Sequence, residues 1–327
     1  MRVRIVKCIY FNQPNALKMT LNRNPFPADN DFGRRQFLSQ LTCAAGSAVL
    51  LSSPIASLAG GDGNESWTVG QIMDLFIKEV PGGPLKDTVD TLKAGNRDIK
   101  VTGIVTTMFA TLDVIEKAIE LNANFIIAHE PTFYNHLDKS DWLESHEVYH
   151  YKADLLKRRN MAIWRNHDFV HRHFPDGVKT GLIRQLGWEK YYDPKVNHLV
   201  VMPAVILKEL IGDIKQKLGI STVRYIGDLS QSCRKILLSP GFGDGSGIIS
   251  WISKEKPDVV IGGEFHEWEV PEYIRDARAT GQQVSLIIMG HADSEEPGSE
   301  YMASWLKEKV PGVKATHIPA KNPLSFF

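Results

Sequence analysis

The chain has 327 residues, 43% of them hydrophobic, and its Lys+Arg and Asp+Glu counts balance at 38 each. That length suggests roughly two domains of about 150 residues, with enough apolar content for buried cores. A neutral balance lacks the basic surplus that drives nucleic-acid binding, so no nucleic-acid partner is expected.

Residues 1–59 carry the marks of an export signal. Arg34 and Arg35 stand side by side, an apolar stretch runs from Phe37 to Leu51, and Ser57-Leu58-Ala59 offers small residues for cleavage. The adjacent arginines point to the twin-arginine route, with an ordinary secretory signal as the alternative. The expected location is periplasmic or extracellular. The apolar stretch is too short and too rich in Ser and Gly for a spanning helix, so no stable membrane insertion is expected after cleavage. Of Cys8, Cys43 and Cys233, only Cys233 would remain in the exported chain, which excludes an internal disulfide.

Residues 60–66 (GGDGNES) read as a linker. Thr68-Val69-Gly70-Gln71 is a capping box that opens a helix to about Val80. Elements alternate after that. Strands are predicted at 101–109, 124–128, 161–165, 198–202, 222–226, 235–239, 258–261, 284–289 and 313–317. Helices are predicted at 111–121, 145–159, 176–186, 204–218, 247–255, 268–279 and 298–309. The alternation argues an α/β fold with largely parallel pairing. YYDPKVNH (191–198) divides a first half, 67–195, from a second, 196–327.

Seven of the eleven histidines, His129, His136, His146, His150, His167, His171 and His173, fall between 129 and 173. Three donor groups stand just after predicted strands. His129 and Glu130 follow 124–128; His167, Asp168 and His171 follow 161–165; His291 and Glu295 follow 284–289. Open α/β sheets bind ligands outside the carboxyl ends of their strands, so the three groups can converge. Together they form a mixed nitrogen and oxygen set that suits Zn, Fe or Mn. The donors outnumber what one ion needs, which points to two divalent metal ions. Such pairs sit about 3.5–4 Å apart and can activate a water. His167 and Glu264 are the candidate catalytic residues, with Glu264 following strand 258–261 as a general base or a supporting partner.

Two other motifs compete. His146-Glu147-Val148-Tyr149-His150 matches H-E-x-x-H on a predicted helix, as in zinc peptidases. Glu144 and Lys152 put charge in its flanks, and no third-ligand pattern follows, so a surface helix is expected instead. SPGFGDGSG (239–247) is a glycine-rich strand–helix turn that could cradle an anion on backbone N–H groups or serve as a tight connection.

Over about residues 67–317 the pattern resembles the dinuclear metal-centre hexamer proteins, named for NGG-one-interacting factor three and sometimes called type-two GTP cyclohydrolases. The segments that carry the resemblance are VTGIVTTMFATLDVIEKAIELNANFIIAHEPTFY, AIWRNHDFVHRH and GGEFHEWEVPEYIRDARATGQQVSLIIMGHADSEEPGSEYMASWLKEK, including Gly290-His291-x-x-x-Glu295. The resemblance implies two similar α/β domains, a metal pair in the cleft between them, and a toroidal homohexamer. It also implies metal ligands at His129, Glu130, Asp168, His171, His291 and Glu295. Two positions depart from the family pattern. A carboxylate, Glu130, stands where a second imidazole is expected, and His171 stands where an aspartate is expected. The expected function is metal-dependent hydrolysis of an unidentified small molecule; the alternative is a non-catalytic metal-binding or ligand-sensing scaffold.

Overall fold

The computed structural model describes residues 66–325. The expected export signal and nearly all of the linker lie outside the described residues. No described helix is long and apolar enough to cross a membrane.

Helix α1 (Val69–Glu79) opens on the expected capping box. The Thr68 hydroxyl accepts from the Gln71 amide at 3.2 Å, and the Gln71 side chain accepts from the Thr68 amide at 2.8 Å. The first sheet contains β1 (Leu92–Ala94), β2 (Ile104–Thr107), β3 (Phe125–Ala128), β4 (Ala162–Arg165) and, from the far end of the chain, β10 (Ala315–His317). Its order is β1-β4-β3-β2-β10, parallel except for the antiparallel edge strand β1. Helices α2 (Leu112–Glu120), α3 (Glu147–Arg158), α4 (Asp168–Arg172) and α5 (Gly177–Leu186) connect or follow these strands.

The second sheet contains β5 (Leu199–Ile206), β6 (Arg224–Ile226), β7 (Ser232–Phe242), β8 (Val259–Glu264) and β9 (Ser285–Ile288). Its order is β5-β7-β8-β9-β6, with a parallel centre and antiparallel edges. Its helices are α6 (Leu207–Leu218), α7 (Gly245–Glu255), α8 (Val270–Ala279) and α9 (His291–Lys309). The fold is therefore α/β with two five-stranded sheets.

Every residue of β2, β3 and β4 is buried, as expected where helices cover both faces of parallel strands. Side chains alternate between two cores. Ile104, Phe125, Ile127 and Trp164 pack on one face, and Val105, Ile126, Ala128 and Ile163 on the other. The second sheet repeats this, with Leu238, Val259, Ile261 and Ile287 on one face and Leu237, Val260, Leu286 and Ile288 on the other.

Edge strand β1 lies where no strand is expected, and three further elements depart from expectation for a tertiary reason. Helix α9 begins at His291 rather than 298, so Pro297 lies inside it. Proline removes one backbone donor and is disfavoured there. Here α5 packs closely on that turn: a Cβ on Gly181 would meet the Pro297 carbonyl oxygen at 2.2 Å, and one on Gly298 would meet Val178 Cα at 2.7 Å. Strand β5 continues through Pro203 to Ile206, over residues expected to start a helix, because β7 pairs with it as far as Ser232. The stretch after β4, expected to be loop, forms α4, whose first amides are held by a remote carboxylate, Asp90.

Helix α9 touches both sheets. The Thr106 hydroxyl of β2 donates to the Ser299 carbonyl at 2.7 Å, and the Gly241 amide of β7 donates to the Ser294 hydroxyl at 2.9 Å. After α9 the chain returns to the first sheet as β10.

Candidate metal centre

The strand register levels the first set of donors. Ala128 is paired with both Thr107 and Arg165, so β2, β3 and β4 end together. His129 and Glu130 then leave β3 beside Asn166 and His167, which leave β4. Helix α4 carries the chain through one more turn, and His171 donates its amide to the His167 carbonyl at 3.2 Å. The rings of His129, His167 and His171 lie 4.8, 5.1 and 5.0 Å apart, centre to centre, for the three pairs.

The second set comes from α9. His291 and Glu295 are four apart on one helical face, and His291 Nε2 lies 3.1 Å from Glu295 Oε2. That same oxygen is 3.2 Å from His129 Nε2. Two imidazoles from opposite halves of the chain thus touch one carboxylate. Glu130 closes the ring: its Oε1 is 3.2 Å from His291 Nε2 and 3.8 Å from His167 Nε2. His171 Nε2 is 3.8 Å from Glu295 Oε1. Among the described residues two overlapping groups could hold a metal ion, His129/His167/His171 and His129/Glu130/Glu295, each with ligand atoms within 4.8 Å of one another.

The hydrogen-bond partners of the histidines suit a cation. Three histidines spend Nδ1 on an acceptor outside the group. His129 uses the Asn166 carbonyl at 3.2 Å, His167 uses Asp168 Oδ1 at 2.9 Å, and His171 uses Asp176 Oδ2 at 3.2 Å. Facing acceptors, these Nδ1 atoms carry the proton of the neutral ring, so that each Nε2 is the nitrogen aimed inward. His129 Nε2 is fully buried and has no well-aligned hydrogen bond, although Glu295 Oε2 lies 3.2 Å away and, against the effect of burial, raises the pKa of the ring. A buried nitrogen without a well-aligned hydrogen bond, among carboxylate oxygens, suits a cation.

The charge states follow from the same contacts. Burial raises the Glu130 pKa, but the hydrogen bond from His291, with the imidazoles of His129 and His167 adjacent, brings it down to about 2. Burial also opposes charge on His291, yet Glu130 and Glu295 push it up to about 10. Glu295 falls well below the usual carboxylate range, because His129, His291 and His171 outweigh its burial. Burial, with His129 and His171 adjacent, takes His167 down to about 4. Without metal the set holds a proton at His291 between two carboxylates, which an incoming cation would displace.

The other expected site residues are placed as follows. The Asp168 carboxylate faces away from the group, taking His167 Nδ1, the Thr88 hydroxyl at 2.8 Å and the Val89 amide at 3.2 Å. Glu264 is half exposed, with Oε1 3.5 Å from His291 Nδ1. Of the seven clustered histidines, His129, His167 and His171 join. His136 lies at the margin, its ring 6.3 Å from that of His167. His173 stacks on Phe76, away from the group. The anion-cradle expectation for the glycine-rich turn meets the protein's own carboxylates: Asp244 caps α7, and a Cβ on Gly245 would meet Glu269 Oε2 at 2.2 Å. The turn still serves the centre. Gly241, at φ +66°, lies so close to Glu295 that a Cβ would meet its Oε1 at 2.2 Å.

Three contributors were not singled out from sequence: Arg165, Asp90 and Asp176. Asp176 does two jobs, capping α5 through Oδ1 and holding His171 through Oδ2. An Asp-Gly pair at the start of a predicted helix signalled the first job and nothing local signalled the second.

The fold and site define an α/β protein with two sheets and a group of histidines and carboxylates that could hold a metal ion. The sequence profile of the Duf34/NIF3 (NGG1p interacting factor 3) family matches residues 87–323, and the chain belongs to that family. A "GTP cyclohydrolase 1 type 2 homolog" of Clostridium acetobutylicum is 25% identical over 236 residues, covering 68% of this chain and 84% of the relative. One of the same name from Staphylococcus epidermidis is 40% identical over 155 residues, covering 46% of this chain and 41% of its own. Among solved structures, a Staphylococcus aureus hypothetical protein shares the fold at TM-score 0.65 and 20% identity, covering 80% of this chain and 100% of its own. A Bacillus cereus protein related to NIF3 does so at TM-score 0.64 and 16% identity, covering 81% and 100%.

Proposed function

We propose that this protein is a metal-dependent hydrolase acting on a small molecule, with a centre for two divalent ions. The ligands are His129, Glu130, His167, His171, His291 and Glu295. The observation that carries this reading is the fully buried Nε2 of His129, without a well-aligned hydrogen bond, among inward-facing histidine and carboxylate atoms. The mixed donor set suits Zn, Fe or Mn. Metal bound there supplies Lewis acidity toward water or a substrate oxygen.

The chain's own residues set the rest. Asp168, Asp176 and the Asn166 carbonyl hold three imidazoles in the tautomer that presents Nε2 inward. His167 therefore belongs to the ligand set, and Asp168 positions it rather than binding metal. Glu264 reaches His291 while half exposed to solvent, so it is the residue suited to take a proton from the reacting water and pass it outward. The relatives' name, a cyclohydrolase homolog, agrees with hydrolytic chemistry. Export to the periplasm or beyond, and assembly into a homohexamer, belong to the same proposal; they rest on the twin-arginine pattern and on the family resemblance.

The test is metal analysis of the purified protein, followed by a hydrolase substrate panel with His291→Ala as control. Stoichiometric metal with turnover abolished by the substitution supports the enzyme. Stoichiometric metal with no turnover on any substrate favours a metal-holding scaffold. Failure to bind Zn, Fe or Mn after reconstitution overturns both.

A further inference from the structure

Arg165 ends β4 with no exposed surface. A guanidinium removed from water must be paired, and two of its partners are the proposed ligand residues Glu130 and His129. Nη2 donates to Glu130 Oε2 at 2.9 Å, Nε donates to the His129 carbonyl at 3.4 Å, and Nη1 donates to the His136 carbonyl. Nη1 also lies 3.7 Å from Asp138 Oδ2, which lies 3.4 Å from Lys93 Nζ. Four buried charges thus alternate in sign, from Glu130 through Arg165 and Asp138 to Lys93.

The planar fork of arginine fixes direction as well as charge. One arm grips the backbone of one ligand residue and another grips the side chain of the next. With Oε2 engaged, Glu130 faces the histidines through Oε1 alone, 3.2 Å from His291 and 3.8 Å from His167. A free carboxylate could turn and offer both oxygens.

We propose that Arg165 is the positioning residue that makes a carboxylate workable at 130, holding Oε2 and leaving Oε1 as its single ligand atom. This rests on the metal-centre reading above. Glu130 and Arg165 then form one unit. A histidine at 130 could present a single nitrogen, but it would strand the buried guanidinium. Removing the guanidinium alone would free the carboxylate and leave Asp138 with a weaker partner set.

The experiment compares the full chain with R165M, E130H and E130H/R165M. Thermal unfolding is measured without metal, and Co2+ binding by calorimetry and visible absorption. E130H is expected to melt lower by about 5–10 °C, and the double variant to recover most of that loss. R165M is expected to bind Co2+ about 10–100-fold more weakly, with shifted absorption bands. Strictly additive melting shifts, or unchanged affinity and bands in R165M, overturn the role of Arg165. If R165M does not fold, R165K keeps the charge without the fork; the same Co2+ loss in it supports the proposal, and wild-type behaviour overturns it. Absence of Co2+ binding in the wild type overturns the metal centre itself, which the metal-free melting series distinguishes from failure of the pairing.

Discussion

Two regions of this molecule carry histidine and glutamate in suggestive order, and only one brings them together. In the H-E-x-x-H segment, His146 is the N-cap of α3, with φ −97° and ψ 120°, so it stands outside the helix that its partner occupies. Its ring meets Trp142 edge-on at 5.8 Å, while His150 Nε2 contacts the Glu144 carbonyl at 2.6 Å. Both histidines and Glu147 are exposed. In the strand-end group the histidines are inward-facing, and three have Nδ1 held by an acceptor from a neighbouring loop or helix. Spacing alone does not make a site; outside partners that orient each ring and burial that removes competing water do.

The comparison breaks most readily at His129, which belongs to both candidate groups. His129→Ala should cost at least about 100-fold in metal affinity, beyond the range typical of a supporting residue. Equilibrium dialysis with Zn2+ checks this, and an unchanged isotherm would remove the shared ligand from the scheme.

The α3 region spends its burial on a lysine instead. Lys152 is 4% exposed and donates to the Thr132 carbonyl at 2.8 Å. Burial takes its pKa from 10.5 down to about 8. The folded pKa lies below the unfolded one, so the deficit is full below about pH 8 and is recovered as pH rises toward 10.5. The difference corresponds to an upper bound of about 3 kcal/mol. Denaturant titrations between pH 7 and 10.5 should show that rise, and Lys152→Met should flatten it.

Loosening an imidazole without removing it should have a smaller effect. Asp168→Asn and Asp176→Asn should each weaken metal binding about 10–100-fold, with melting little changed for Asp176→Asn because asparagine also caps a helix. Competition with a chromogenic chelator measures it; wild-type affinity in both would show that ring orientation does not matter here. His150→Ala marks the floor. Metal content should be unchanged and stability within about 0.5 kcal/mol, as for ordinary surface positions. A large metal loss would restore the peptidase-like reading.

Much of this was legible in local pattern. Short apolar runs such as Phe125–Ala128 gave the strands, because buried parallel strands need apolar side chains on both faces. The donors stood out because they follow such runs. The start of α9 was not legible: Pro297 argues for a boundary, and only packing against α5 at Gly181 and Gly298 carries the helix back to His291. Asp168 illustrates the same limit. Its position beside His167 marks it as a donor, but Thr88 and Val89 draw its carboxylate away from the group.

The sequence by itself determined the donor inventory and its placement at strand ends, since hydrophobic period and strand termination act over a few residues. Tertiary structure alone decided that His129 and His291 share the Glu295 carboxylate and that Arg165 is buried against Glu130. Those contacts depend on sheet register and on where α9 crosses its neighbours, and both are set by packing between segments remote along the chain.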